Sequence, residues 1–214
     1  MRLFAFLVLL PAGLLAEGFQ GWYQSSVWLR LDDKWSVGAF ADLRADQGFG
    51  EIHTWILSPR VRYALNETWQ LQANLSVLEA LNPDETARAD ALRLEFEVNP
   101  TLRLGEAVTL SLRDRVEWRW REGGDDYAVR LRVRPQLDWT LRREGVFRGL
   151  YANLESFFDF DQKACSEHRL IPLGLVFRPW EHGELRCYYI LRTVRARVGW
   201  RDYDGLGVGT VFNY

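Results

Sequence analysis

The sequence predicts an all-β protein, an up-and-down antiparallel transmembrane β-barrel of about ten to twelve strands. Three observations carry this. Apolar and polar residues alternate with a period of two along most of the chain, turn residues interrupt the alternation at intervals, and beyond a short apolar leader no stretch approaches the ~20 apolar residues of a spanning helix. In lipid only helices and closed barrels satisfy every backbone donor and acceptor, so a chain of this kind can cross a membrane only as a barrel.

The leader comes first. Arg2 supplies a positive start, Leu3 to Leu10 are apolar without a break, Pro11 interrupts the run, and Ala12 to Ala16 are small or apolar. The run is too short for an anchor helix and has the form of an exported signal peptide. Cleavage after Ala16 divides the chain into a signal peptide, residues 1–16, and one domain, residues 17–214.

The strands follow. Alternation is unbroken from Trp69 to Val77 and from Leu92 to Asn99, and it also marks Leu57 to Leu65 and Tyr127 to Leu141. A helix would smear this pattern around its axis, whereas a strand puts it on two faces. Short connections fall at Asp32-Asp33, Asn66-Glu67, Gly105-Glu106, Arg143 to Val146 and Glu181 to Gly183. Longer polar connections are expected at 45–51, 79–90, 122–126, 159–168 and 193–203, alternating with the short ones as in barrels with tight periplasmic turns and longer outer loops. A weak repeat aligns Leu31-Asp32-Asp33-Lys34-Trp35 with Leu65-Asn66-Glu67-Thr68-Trp69 and Leu104-Gly105-Glu106-Ala107-Val108, the mark of one domain built from hairpins.

About eleven runs are visible, whereas bacterial barrels normally have an even number. Either one run does not span, or a further strand within 193–203 restores parity. Asp114 falls on the apolar face of its run, and a bulge there would re-aim it.

The two faces differ in kind. The polar face is ionic in mid-strand: Arg60, Arg62, Arg93, Glu95, Glu97, Arg113, Arg115, Glu117, Arg119, Arg130, Arg132, Arg134 and Glu155 form a ladder of mixed sign that suits a wet, paired interior. Cross-strand registers are expected to bring Glu97 to Arg113, Glu117 to Arg132 and Glu155 to Arg134, each pair stabilising by ~0.2–1 kcal/mol. Aromatics on the apolar face sit near strand ends, with Trp35, Trp69, Trp139 and Trp180 beside short turns and Trp55, Trp118, Trp120 and Tyr127 beside long loops. Two such girdles are expected of a barrel that meets two interfaces. The last run ends Phe212-Asn213-Tyr214, and its aromatics have the form of the C-terminal assembly signal read by the barrel-assembly machinery.

These features resemble a family of bacterial proteins classed under a domain of unknown function and regarded as outer-membrane β-barrels. The resemblance is carried by Phe19-Gln20-Gly21-Trp22, the Lys34-Trp35 hairpin, the Arg130-Arg132-Arg134 strand, and Asn153-Leu154-Glu155 leading to Phe160-Asp161-Gln162. It implies a cell outer-membrane location in a Gram-negative envelope and no established activity, so no catalytic residue is carried over.

Chemistry is sparse. Three histidines, His53, His168 and His182, without paired-cysteine or HExxH spacing argue against a metal, and no cofactor motif is present. Cys165 and Cys187 fall at opposite ends of their strands, too far apart for a bridge. A net charge of -2 gives no pull toward nucleic acid. The expected partners are outer-membrane lipids and lipopolysaccharide; the acids of the long connections, Asp84, Glu85, Glu122, Asp125, Asp126, Asp159 and Asp161, read either as a solvated rim or as a divalent-cation bridge to lipopolysaccharide. The function expected is non-catalytic, structural or a narrow small-solute or anion pore with a charge-paired lumen. The alternatives are a lipid-modifying enzyme of acylase or lipase type, built around Ser166, Glu167, His168 and His53, and a soluble periplasmic barrel that binds a ligand.

Overall fold

The computed structural model describes residues 19–46, 51–81, 88–121, 127–196 and 198–214. The leader, and the loop acids Asp84, Glu85, Glu122, Asp125 and Asp126, lie outside them.

Eleven strands close into a barrel: β1 Phe19–Arg30, β2 Trp35–Asp46, β3 Glu51–Ala64, β4 Trp69–Leu81, β5 Arg88–Leu104, β6 Val108–Arg121, β7 Tyr127–Thr140, β8 Phe147–Asp159, β9 Ala164–Trp180, β10 Gly183–Arg195 and β11 Trp200–Asn213. Sequential neighbours pair antiparallel. The odd number leaves β1 and β11 running the same way, and they close the wall as a parallel pair from Phe19↔Asp204 to Trp28↔Asn213. The seam is held across its faces as well as through its backbone, since Thr210 Oγ1 donates to Ser25 Oγ at 3.0 Å. One rim carries Phe19 and the other carries Tyr214; we refer to them as the N-terminal and C-terminal rims.

Two features of the connections depart from expectation. The segments 159–168 and 193–203 are not long loops: β8 reaches Asp159, β9 begins at Ala164, β10 reaches Arg195 and β11 begins at Trp200. Their polar residues belong to strands whose inner side is charged, so polarity there marks the lumen and not a loop. The contrast between long and short links therefore largely disappears. There is also no bulge at Asp114. The β6 registers run without a shift through Val98↔Asp114 and Asp114↔Val133, leaving Asp114 on the outer face between two valines.

The turns explain the internal repeat. Asp32 Oδ1 accepts the N–H groups of Lys34 and Trp35, both at 2.7 Å, and Asn66 Oδ1 accepts those of Thr68 and Trp69 at 2.9 and 2.8 Å. A short acceptor that closes the chain onto itself is the chemistry by which Asp and Asn favour turns. The backbone donors hold the Asp32 carboxyl below the usual carboxylate range. The third copy has no such acceptor and turns instead through Gly105, whose φ of 84° suits a residue without a Cβ.

Alternation directs side chains to two environments. Outward lie Leu29, Leu57, Leu75, Phe96, Leu102, Leu154 and Leu173, all 44% exposed or more. Inward lie the charged residues together with a compact aromatic group, Trp22, Tyr151 and Tyr188, packed with Ile171 and Ile190. Tyr151 and Tyr188 meet edge-on with centroids 6.4 Å apart. They fit because residues beside them lack side chains: a Cβ at Gly174 would lie 2.1 Å from the Tyr151 ring, and one at Gly207 would lie 2.0 Å from that of Tyr188. Gly207→Val is accordingly expected to lower stability by about 1–3 kcal/mol through overpacking, as read by denaturant unfolding of the folded protein.

Candidate functional site: the charged interior

The strongest concentration of chemistry lies inside the barrel. The period-two pleat places Glu95 and Glu97 of β5 opposite Glu117 and Arg115 of β6, and Arg113, Arg115 and Glu117 opposite Arg134, Arg132 and Arg130 of β7. Like charges face each other at Arg115↔Arg132 and Arg113↔Arg134, an arrangement that is unfavourable unless carboxylates come between them.

Carboxylates do so for most of the ladder. Arg132 Nη1 donates to Glu117 Oε1 at 2.6 Å, and its Nε donates to Glu155 Oε1 at 3.0 Å. Glu117 has no exposed surface and lies 3.6 Å from Arg115 as well, so it bridges the two opposed arginines. Arg115 pairs with Glu95 at 2.9 Å and also with Glu97. Asn74 donates to both acids, at 2.9 and 3.0 Å, and is itself held by Gln72 at 2.8 Å. Toward the N-terminal rim, Asp159 receives Arg119 at 2.5 Å and Arg130 at 2.9 Å. A carboxylate removed from water is tolerable only with such partners, since an unpaired buried charge costs several kcal/mol.

The registers correct one of the expected pairs. Glu117 meets Arg132 as expected. Glu97 pairs with Arg115, directly across the ladder, in place of Arg113. The β7–β8 register sets Glu155 opposite Arg134 as expected, but the carboxylate's ion pairs are with Arg113 and Arg132, which reach it from β6 and β7. Arg60, Arg62, Arg93 and Arg134 form no ion pair among the described residues. Arg60 lies 3.8 Å over the Phe40 ring and Arg62 3.6 Å over that of Trp28, so these two are partly compensated by ring faces.

The interior holds more than the ladder read from the sequence. Asp42–Arg44, Glu167–Arg169, Glu167–Arg192 and Glu184–Arg186 pair at 2.6–2.8 Å on β2, β9 and β10. Phe157 and Trp22 also face inward, with Arg132 and Arg169 each 4.5 Å over Phe157 and Arg44 4.0 Å over Trp22. Parity could have found them. Phe157 shares its face with Glu155 and Asp159, Trp22 with Gln20 and Gln24, and Tyr188 with Arg186 and Arg192. An aromatic on a charged face is an interior residue.

Among the described residues the middle of the lumen holds a cavity of about 240 Å³ toward the C-terminal rim and another of about 360 Å³ toward the N-terminal rim. Arg44, Ile56, Arg93, Arg132 and Arg169 line both, so the layer between them is made of long side chains, three of which are in ion pairs.

The expected girdle residues stand on the outer side near the rims. Trp35, Trp69, Trp139 and Trp180 are 44–51% exposed at the C-terminal rim, where Trp180 packs on Phe212 at 5.4 Å and His182 on Tyr214 at 5.5 Å. Trp55, Trp118, Trp120 and Tyr127 stand toward the other rim, with Trp118 edge-on to Phe96 and Trp120 6.2 Å from Tyr127. Trp200, which belongs to β11, joins them, stacked on His168.

The residues considered for nucleophilic chemistry are divided by the wall. His53 and Ser166 line the cavity at the N-terminal rim, whereas His168 faces outward, its Nδ1 3.0 Å from Ser156 Oγ. Glu167 points inward and is committed to Arg169 and Arg192. Both cysteines are free. Among the described residues no group of three or more His, Cys, Asp or Glu is arranged to hold a metal ion, and no helix is long and apolar enough to cross a membrane, which leaves the strands to be judged on their own.

Residues 19–203 match the family model described as a protein of unknown function, DUF2490. No curated protein matches the chain.

Proposed function

The chain belongs to this family of unknown function, and we propose that it is an outer-membrane β-barrel of structural or narrow-lumen type, exported by its leader and sealed across the middle by its own ion-pair network. One observation carries the reading: the two sides of the wall are inverted relative to a water-soluble barrel. Fully buried side chains inside include Glu117 and Asp42, while leucine, valine and phenylalanine cover the outside. Water-soluble monomers rarely leave a contiguous apolar surface of this extent bare.

Lengths and anchors support it. The strands have 12–17 residues, more than the ~9–11 that a tilted strand needs to cross hydrocarbon, and tryptophans stand toward both ends of the outer wall. Phe212 and Tyr214 close the final strand as the expected assembly signal. The paired interior favours an obstructed lumen over an open pore, because arginines tied to carboxylates present little free field to a passing anion. The competing soluble barrel would need another partner to cover the apolar wall.

Fractionation of cells producing the full chain tests this. The protein is expected with outer membranes, resistant to carbonate washing and released by detergent. It is also expected to migrate differently on gels with and without boiling. Recovery in the soluble periplasmic fraction would refute the proposal.

A further inference from the structure

We propose that the cavity on the C-terminal side of the lumen is a binding site for a phosphate-class oxyanion, held by Arg134 and Arg60. The inference goes beyond the membrane reading and does not depend on it.

The charge balance of the cavity is lopsided. Nine arginines line it against three carboxylates, Asp42, Glu95 and Glu155. Acids behind the lining narrow the gap, since Arg115 also holds Glu97, Arg169 holds Glu167 and Arg186 holds Glu184. Six of the nine are satisfied in this way. Arg60, Arg93 and Arg134 are not, and Nε of each is buried without a hydrogen-bond partner.

Arg134 is the sharpest case. A guanidinium carries five N–H donors and no acceptor. That of Arg134 makes no hydrogen bond, ion pair or ring contact among the described residues, while its cross-strand neighbours are another arginine, Arg113, on β6 and Glu155 on β8. The equivalent clash one step along, Arg115 against Arg132, is relieved by Glu117 between them. The acids near Arg134, Glu155 and Glu97, are already engaged, Glu155 by Arg113 and Arg132 and Glu97 by Arg115. An anion on the cavity side of Arg134 would stand in the relation to it that Glu117 has to Arg132.

The surroundings suit a tetrahedral oxyanion. Ser26 and Asn153 line the same space and can donate to further oxygens. The volume of about 240 Å³ corresponds to roughly eight waters at ~30 Å³ each, enough for one phosphate with part of its hydration shell. Arginine forks bind such ions bidentately. The ion would be free in solution and not a lipid headgroup, because the acyl chains of a lipid would have to pass through the hydrogen-bonded wall.

The test uses the full-length barrel, folded in detergent, with inorganic phosphate as the probe and chloride at matched ionic strength as the control. Phosphate is expected to raise the melting midpoint and to give a saturable calorimetric isotherm. Arg134→Gln and Arg60→Gln are each expected to weaken phosphate binding about ten- to a hundredfold, as for loss of one charge-assisted hydrogen bond. Both remove an unpaired cation, so both are expected to fold, and Arg134→Lys is expected to retain part of the affinity. Equal midpoints in phosphate and chloride, or variants that respond as the parent does, would overturn the proposal. A phosphate-responsive protein found in the soluble fraction would contradict the membrane reading alone, and a membrane-integrated protein indifferent to phosphate would contradict the anion site alone.

Discussion

Arg132→Glu is expected to destabilise the barrel by about 3–5 kcal/mol, the cost of breaking a buried pair and leaving its partner uncompensated. Arg132 is the hub of the interior: it donates to Glu117 at 2.6 Å and to Glu155 at 3.0 Å, and its guanidinium lies over Phe157. Reversal would place a third carboxylate against two that are already buried. Adding Glu117→Arg should recover part of the loss, because the new pair has the opposite polarity and the new arginine can reach Glu155, though it then faces Arg115. Such non-additivity is the mark of groups in direct contact. Denaturant unfolding of the parent, both single variants and the double variant gives the coupling. Additive losses would show that the two side chains do not share a network in the folded protein.

The second large effect concerns the other side of the wall. Leu75→Arg is expected to cost about 2–4 kcal/mol when the protein is folded into vesicles, the penalty for a cation at mid-depth on a lipid-facing strand. Leu75 is 44% exposed and pairs with Leu94 in the middle of β4 and β5. Leu104→Arg, at the last residue of β5 on the C-terminal rim, should cost about 0–1 kcal/mol, because the penalty fades toward the interface. On the proposed membrane reading Asp114 on the outer face obeys the same rule, since acids on a lipid-facing strand cost less than arginine or lysine. Equal and small effects at both leucines would mean that water covers this surface.

The strands and their two faces were legible because a period of two is a local property, written in each run without reference to its neighbours. Trp69 to Val77 could be assigned to β4, and Arg60, Glu95 and Arg132 to the interior, from alternation alone. What was not legible depended on register and on three-dimensional closure. Whether Glu97 meets Arg113 or Arg115 is decided by a shift of two residues between β5 and β6, and both choices keep the same face. That Arg134 lacks a carboxylate follows only once Glu155 is seen to serve Arg113 and Arg132. The inward aromatics were obscured for another reason: hydrophobicity alone does not separate the inner face from the outer for Phe157 and Tyr188, while parity with Glu155 and Arg186 places them inside. Polar stretches such as 159–168 read as loops because a strand with a charged lumen side carries fewer apolar residues than a strand in a soluble sheet.

The inversion of the wall is tested most directly by nitroxide scanning of residues 71–77 on β4, in protein reconstituted into vesicles and lacking the native Cys165 and Cys187. Labels at 71, 73, 75 and 77 are predicted to collide with membrane-dissolved oxygen and to be shielded from a water-soluble nickel chelate, while labels at 72, 74 and 76 show little collision with oxygen. The opposite phase, or uniform access of the chelate to all seven positions, would contradict a barrel that turns its apolar face to lipid and its charges inward.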